Sequence, residues 1–555
     1  MKKIFLLPFL FLYVLNIHAQ NMDDLYFGTN ASLEVITWNI EWFPKNGQLT
    51  ADYVSEIILR LDADIIAMQE LSDTVLFNQM LAGMDEYSGY YESSYFAGLA
   101  YIYKHDRIEI NDIYEIYTTQ PYWRPFPRSP MVLDFDFRDE NYILINNHLK
   151  CCGDGSMDLE DPWDEETRRY DAMNLLKAYV DTHLAGRKVF ILGDLNDLIT
   201  DEWEHNVFRN LLDDPDNYLF ADYDIAHGST YYWSYPTWPS HLDHIIITNE
   251  LFEEFYAPFT YVRTLRIEDY LPGGWSEYDQ YVSDHRPVAM RFLPSSANLL
   301  LGKDFEDQNL LSGGWTQHNI AGEQEWHVPE QDWGVFNTYC AYINGYENGP
   351  NENENWLISP LIDTGDHEEI RFSFWNTTAY QGPPLQVFYS GNYADNPHDA
   401  NWTEIEGVNW HNGNTNWQWT YSGEADLDHL AGTSFHVGFK YISSSQQAAA
   451  WEIDDVIVTG NPESVTVSTG RPGIHKHQTY DHSNVRVFPN PVENQLFIDG
   501  VDGPAVVSVQ DLSGATVMQK QLLGNSMYVG NLMPGLYILK IETDHGVIMN
   551  KFIRQ

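Results

Sequence analysis

Residues 190–197 read FILGDLND. An apolar run, KVFILG at 188–193, stops at an acid and an amide, Asp194 and Asn196. One such ending says little, because Asp and Asn also cap helices and make turns. The pattern gains meaning by recurring outward along the chain. LEVITW (33–38) runs into Asn39, DIIAMQ (64–69) into Glu70, and YILINN (142–147) carries Asn147 into His148. HIIIT (244–248) follows directly on Asp243, and PVAMRF (287–292) follows Asp284 and His285 in the stretch SDHRP. LAYIYK (99–104) and MVLDFDF (131–137) complete a set of short runs rich in β-branched and aromatic residues, the composition of strands. Between them ADYVSEIILRLD (51–62) has helical spacing. So does the segment from Asp161 to about Leu184, where Asp161 can N-cap, Pro162 suits the first helical position, and Ala172, Leu175, Leu176, Tyr179 and Val180 form an apolar face. The alternation predicts a mixed α/β domain over residues 33–293.

A chain of 555 residues exceeds one core. LPSSANLL (293–300) breaks the α/β pattern, and residues 298–460 carry short alternating runs such as EIRFSFWN, PLQVFYS, FHVGFKY and WEIDDVIVTG, which predict a β-sandwich. A polar linker follows, and VFPNPVENQLFI, VVSVQDLSGATVM and LYILKIETDHGVIMNKFI, with turn signals at Ser513-Gly514 and His545-Gly546, predict a small β-domain. The expected division is a signal peptide at 1–20, an α/β domain at 21–295, a β-sandwich at 296–460, a linker at 461–484 and a C-terminal domain at 485–555. The signal rests on Lys2 and Lys3, the apolar stretch after them, and the small residue Ala19 near its end. No later stretch is long enough to span a membrane, so the expected product is secreted or displayed at the cell surface.

The formal charge is -51, from 30 Lys+Arg against 81 Asp+Glu. Such a surface repels polyanions at long range and counts against tight non-specific nucleic-acid binding, yet a bound divalent cation and a few local cations can reverse the sign inside a cleft. Three cysteines exclude a disulfide scaffold. Cys151 and Cys152 are adjacent, and either a strained vicinal disulfide or two free thiols fits the sequence.

Taken singly, Asn39 reads as a turn former, Glu70 as a solvated strand end and Asp194 as a cap. Gathered in one domain, always at strand ends, they favour one site. Metal-assisted phosphodiester hydrolysis wants such a set. A hard cation takes oxygen ligands, which Asn39, Glu70 and Asp284 offer. An attacking water needs an acid and an amide, as Asp194 and Asn196 supply. Charge on the phosphoryl oxygens calls for donors, available from His148 and from His285 held by Asp243.

The ordered motifs TWNIEW, IIAMQEL, NNHLK, ILGDLND, LDHIIIT and SDHRPV resemble the endonuclease/exonuclease/phosphatase superfamily, which includes deoxyribonuclease I, abasic-site endonucleases and sphingomyelinases. The resemblance implies a four-layer α/β sandwich over about residues 33–293. It implies Glu70 as the principal Mg²⁺ ligand, with Mn²⁺ or Ca²⁺ as alternatives, Asn39 nearby and Asp284 in the metal shell. Asp194 would position or activate water with Asn196, Asp243 would pair with His285 at the scissile phosphate, and His148 would match a second histidine. Arg128, in RSPMVLDF, reads either as a contact to substrate phosphate or as a surface salt-bridge arginine, and Asn147 is placed among the substrate contacts. The acid that accompanies the second histidine in deoxyribonuclease I is missing, because Ala97 and Gly98 stand where it should fall. The acidic stretch KCCGDGSMDLEDPWDEE after His148 reads as a solvated loop rather than a Ca²⁺ site.

The last block is similar to the C-terminal sorting domain of type IX secretion substrates, and the sandwich to jelly-roll modules of the MAM-like or cleaved-adhesin kind, with a glycan or cell-surface ligand as its expected partner. The leading expectation is a secreted endonuclease acting on DNA or RNA. The alternatives are a sphingomyelinase-like hydrolase of phospholipid or another small phosphodiester, and, in another class, a surface adhesin with an inactive first domain.

Overall fold

The computed structural model describes residues 22–93, 98–331, 333–335, 338–413 and 417–462. Within the C-terminal block it describes 486–488, 492, 495–499, 505–510, 516–522, 526–529, 532, 535–543 and 546–554. The expected signal peptide and nearly all of the linker lie outside the described residues, as does the Ser513-Gly514 turn. No helix among the described residues is long and apolar enough to cross a membrane.

The first domain runs β1 (Leu33–Phe43), α1 (Gln48–Leu61), β2 (Ile65–Leu71), α2 (Thr74–Leu81), β3 (Tyr87–Tyr90), β4 (Gly98–Lys104), β5 (Glu109–Glu115) and β6 (Met131–Phe137). It continues with β7 (Glu140–His148), α3 (Glu165–His183), β8 (Lys188–Asp194), β9 (Tyr218–Phe220), β10 (Asp243–Thr248), β11 (Tyr261–Thr264) and β12 (Val288–Phe292). Two six-stranded sheets result, ordered β11-β12-β1-β2-β4-β3 and β5-β6-β7-β8-β10-β9. In each, a central parallel pair, β1 with β2 or β7 with β8, is flanked by antiparallel neighbours.

Side-chain alternation explains the layering. Val35, Ala67, Leu144, Leu192, Ile245 and Met290 fill the space between the sheets. Their neighbours Ile36, Ile66 and Ala289 meet Val54, Ile57, Ile58 and Leu61 of α1 on one outer face. Ile143, Ile145, Ile191 and Ile246 meet Ala172, Met173, Leu176 and Val180 of α3 on the other. Central strands are therefore apolar on both faces, which is why IIAM, VFIL and HIII read as unbroken apolar runs. Burial of each such side chain contributes about 1.5–3 kcal/mol, so slipping any strand by one residue would exchange its two faces at prohibitive cost. The four-layer α/β sandwich is thus present.

Local readings needed correction. Helix α3 starts at Glu165, with Asp164 accepting from Thr167 N at 2.8 Å. Asp161 instead accepts from Trp163 N within the preceding turn, so the competing nearer cap wins. Strands β3, β5, β9 and β11 were not foreseen. β5 (EINDIYE) is an exposed sheet edge whose polar residues hide it, and β9 and β11 are three and four residues long. Helix α2 was also missed, although Asp73 caps it by accepting from Val75 N and Leu76 N.

Residues 299–462 form two further six-stranded sheets without a closed barrel. One is built around Ala450–Pro462, paired with Leu299–Lys303, Ala341–Asn344 and His367–Ala379. The other is built around Ser434–Ser443, paired with Asn353–Ile358 and Gln386–Ser390. This sandwich and the first domain belong to one compact unit. Between them Arg291 donates to Asp455 at 3.2 Å and to Phe27 O at 3.1 Å, while the Tyr261 hydroxyl donates to Asp455.

A second compact unit comprises 311–315 and 464–555. Its described residues form a three-stranded and a four-stranded sheet around Leu496, Ile498, Val507, Val509, Leu539, Ile541 and Phe552. Cys151 and Cys152 are exposed free thiols with sulfurs 3.0 Å apart, and Cys340 is buried.

Candidate active site

The inter-sheet core changes character toward one end. Continuing the alternation past the apolar residues reaches Thr37 and Asn39 on β1, Asn146 and His148 on β7, Asp194 on β8 and Asp243 on β10. Thr37, Gln69 and Asn146 form a buried polar layer on top of the apolar one. Gln69 Nε2 donates to Thr37 Oγ1 at 3.1 Å and Asn146 Oδ1 at 2.8 Å, and Asn146 Nδ2 donates to Met68 O and Ala100 O at 3.0 and 3.1 Å. Above it lie Asn39, His148, Asp194 and Asp243, with His148 beside Asp194 and Asp194 beside Asp243 in strand register. The β8 end packs closely on β7. Gly193 has φ +140°, and a Cβ there would lie 1.9 Å from Asn147 O.

Distances confirm the convergence. Asn39 Nδ2 donates to Asp194 Oδ2 at 2.9 Å and to Glu70 Oε1 at 3.4 Å. His148 Nε2 is 3.5 Å from Asp194 Oδ2 and 3.8 Å from Glu70 Oε1. Asn196 N donates to the other Asp194 oxygen at 3.1 Å, and its side-chain amide donates to Leu149 O at 3.3 Å. His285 Nδ1 binds Asp243 Oδ2 at 2.8 Å, while its Nε2 lies 3.9 Å from Asp194 Oδ2 and 4.0 Å from Asp284 Oδ1. Glu70 is out of phase with Ile65, Ala67 and Gln69. Its φ of +66° breaks the pleat, and its Oε2 accepts from Trp42 N at 3.0 Å. Such a backbone costs of order 1–3 kcal/mol and persists where surrounding structure enforces it.

Asn147 is the exception among the sequence candidates. It sits on the face of β7 opposite His148, is buried, and its amide donates to Ile145 O at 2.7 Å and Leu192 O at 3.2 Å. Strand alternation turns it away from the cluster. Arg128 does come close, since its charge is felt at His148.

The sequence reading passed over several groups. Ser283 Oγ donates to Asn39 O at 2.6 Å and accepts from His285 N at 3.0 Å, tying SDHRP to β1. Trp38 Nε1 donates to the Tyr278 hydroxyl at 3.0 Å, which donates to His285 O at 2.8 Å. Tyr235 packs on the His285 ring at 4.8 Å, and Glu41 accepts from Asp284 N at 2.9 Å. Only Ser283 had a signal, as the neighbour of Asp284.

A second acid–imidazole cluster, Asp222, His241 and His244, lies under β10. Its donors and acceptors are engaged: Asp222 Oδ2 binds His241 Nε2 at 3.0 Å and His244 Nδ1 at 2.6 Å, and its Oδ1 accepts from Ile245 N at 2.9 Å. Ser234 N donates to His241 Nδ1 at 3.2 Å, and His244 Nε2 binds Asp197 O at 3.0 Å. This network supports the Asp243 strand end.

Electrostatics divides the roles. Burial opposes charge on His285, but Asp243, Asp194 and Asp284 outweigh it and hold the imidazolium up to about 10. Burial pushes the Asp194 carboxyl up to about 7, with Asp243 and Glu70 adding to it and His285 and Asn39 offsetting. Burial and then the Glu41 and Glu70 charges raise Asp284 to about 6 against His285 and Lys45. His148 is pushed well below its ordinary value by burial and by the charges of Arg128 and His285, so it is neutral. Its Nδ1 is buried without a hydrogen-bond partner, in keeping with the acid missing at Ala97 and Gly98.

The donor set suits a hard divalent cation. The Glu70 charge acts on the Asp284 carboxyl, Asn39 reaches Glu70 at 3.4 Å, and Asp243 Oδ1 is buried without a partner. Two carboxyls held above their ordinary values mark a pocket short of positive charge.

A pair of sheets sandwiched by helices, with acids, amides and an acid-held imidazolium at one end of the inter-sheet core, defines a hydrolase of the α/β-sandwich class. Residues 36–285 match the model of the Endonuclease/Exonuclease/phosphatase family. Family members hydrolyse phosphoesters and depend on divalent metal. Residues 486–555 match the secretion system C-terminal sorting domain, which marks export through type IX secretion to the cell surface or beyond. Similar solved structures include a humanized D. rerio TDP2 (14% identity, TM-score 0.36, covering 47% of this chain and 99% of that one). An endonuclease/exonuclease/phosphatase from Bacteroides vulgatus is also similar (16%, 0.34, 47% and 98%). So is the human Nocturnin catalytic domain with bound sulfate (18%, 0.34, 48% and 94%). No curated protein sequence matches the chain.

Proposed function

We propose that the first domain is a Mg²⁺-dependent phosphodiesterase, an endonuclease that hydrolyses extracellular DNA or RNA by in-line attack of water. The observation that carries this reading is His285, held by Asp243 and lying beside Asp194, the neighbour of Asp243 in the same sheet. Asn39, Glu70 and Asp284 would hold the cation, which supplies charge neutralisation at the phosphate. The fixed Asp243 bond leaves His285 Nε2–H as a donor toward a non-bridging phosphate oxygen. Neutral His148 and Arg128 steady the opposite side of the phosphate.

Exposed tryptophans stand on five segments at this end of the sheets: Trp42 at the end of β1, Trp123 between β5 and β6, Trp163 before α3, Trp203 after Asn196 and Trp238 before β10. Unpaired bases stack on such rings. The same rings suit a headgroup layer, which favours a phospholipid as the second reading.

The test is cleavage of supercoiled plasmid and of RNA by the full chain, with Mg²⁺, with EDTA and as the His285→Ala variant. Metal-dependent nicking that disappears in the variant is expected. Intact plasmid and RNA, with release of phosphocholine from sphingomyelin vesicles, would replace the nuclease by the lipid reading.

A further inference from the structure

Between the first domain and the sandwich lies a cleft of about 780 Å³, lined on the sandwich side by Trp333, Tyr342, Tyr380, Trp417 and Glu452. The rings form walls rather than a platform. Trp333 meets Tyr342 at 5.8 Å and 72°, Tyr342 meets Trp417 at 6.3 Å and 34°, and Tyr380 meets Trp417 at 6.2 Å and 86°. Glu452 faces Tyr342 across paired strands. The Trp333 segment is anchored by Asp454, on the same strand face as Glu452, which accepts from Val335 N at 3.0 Å and Thr338 Oγ1 at 3.1 Å.

Glu452 is the anomaly. It is 3% exposed, its carboxyl opens onto the cleft, and burial alone shifts it, with no charge or hydrogen bond from the described residues contributing. Buried acids are ordinarily paired. The facing wall carries Arg263 and Arg266, yet neither charge contributes to the Glu452 shift, and Arg266 is engaged with Asp269 at 2.8 Å and lies over the Tyr231 ring at 3.5 Å. Meanwhile Trp333, Tyr380 and Trp417 remain 47%, 63% and 38% exposed.

We propose that this box binds an organic ammonium group, of the quaternary kind that choline carries. Rings set at steep angles enclose a compact cation by their faces, whereas a sugar ring asks for a flat stacking surface. A quaternary nitrogen has no N–H to satisfy, and a lone carboxylate at the floor supplies the one counter-charge required. Burial alone holds Glu452 up to about 8, so an arriving cation displaces its proton and binding tightens as pH rises toward that value.

The experiment titrates the full chain with choline chloride by calorimetry and tryptophan fluorescence, at constant ionic strength. The controls are 3,3-dimethylbutanol, the uncharged isostere, and maltose. Saturable choline binding in the millimolar range, at least about tenfold weaker in both Glu452→Gln and Trp417→Ala, is expected. Glu452→Gln keeps the shape of the side chain, and Trp417→Ala alters an exposed ring, so one reports if the other fails to fold. Flotation with phosphatidylcholine against phosphatidylglycerol vesicles then tells a lipid headgroup from a free solute. No saturable choline binding up to about 20 mM, equal binding of the isostere, or binding of maltose alone would overturn the proposal. Plasmid cleavage is unaffected by any of these outcomes.

Discussion

Replacing Glu452 by Gln should remove a pH-dependent weakness from the protein. Burial pushes this carboxyl from its ordinary 4.5 up to about 8. A group whose folded value is raised keeps its proton longer in the folded state. Its contribution to stability is therefore intact below about 4.5 and is lost as pH rises through about 8. Each pH unit across that window costs about 1.4 kcal/mol, which bounds the loss at about 4–5 kcal/mol by pH 9. The cleft admits water, which screens the charge, so about 2 kcal/mol is the working expectation. Glutamine has the same shape and does not titrate. Urea unfolding followed by tryptophan fluorescence at pH 5, 7 and 9 compares the two proteins. The midpoints should nearly coincide at pH 5 and already be well separated at pH 7, with little further change beyond about pH 8 and Glu452→Gln the more stable. Parallel pH dependences, or a less stable variant at pH 9, would show that Glu452 is ionised and paired in solution and would refute the reasoning.

At the active site, Asp243→Asn and His285→Ala should each lower kcat on bis-p-nitrophenyl phosphate by about 10²–10⁴ with KM little changed. The double variant should be no worse than the poorer single, and additive losses in initial rates would show that the two side chains do not act as one unit. Gly193→Ala forces a Cβ against Asn147 O, 1.9 Å away, at a left-handed backbone position. A loss of at least about 2 kcal/mol in denaturant unfolding is expected. Arg291→Met leaves the buried Asp455 carboxylate with the Tyr261 hydroxyl but without its counter-charge and should cost about 3–5 kcal/mol, most of it recovered in Arg291→Met/Asp455→Leu, as a double-mutant cycle would measure.

Period-two alternation carried the fold and half of the site. Once LEVITW, KVFILG and HIIIT are read as strands buried on both faces, Asn39, Asp194 and Asp243 must share a face with Val35, Leu192 and Ile245. The same rule, applied strictly, would have put Asn147 behind its neighbour His148 and left Glu70 outside. Glu70 enters because of one left-handed residue at a strand end, a conformation that the sequence IIAMQEL does not announce. The edge strand β5 stayed hidden because exposed, polar strands lack the apolar signal on which such reading depends.

By itself, the sequence determined the layers, the six strand ends that bear polar groups, the type of chemistry those groups can perform and the tail that marks export. Each follows from local periodicity or from a short ordered motif. Only the tertiary structure decided which groups meet: Ser283 on the backbone of Asn39, Tyr235 on His285, Glu41 beside Asp284. It alone also built the box from Trp333, Tyr342, Tyr380, Trp417 and Glu452, residues drawn from five separate segments. Contacts of that kind depend on how two sheets and two modules pack across long loops, and no period in the chain encodes them.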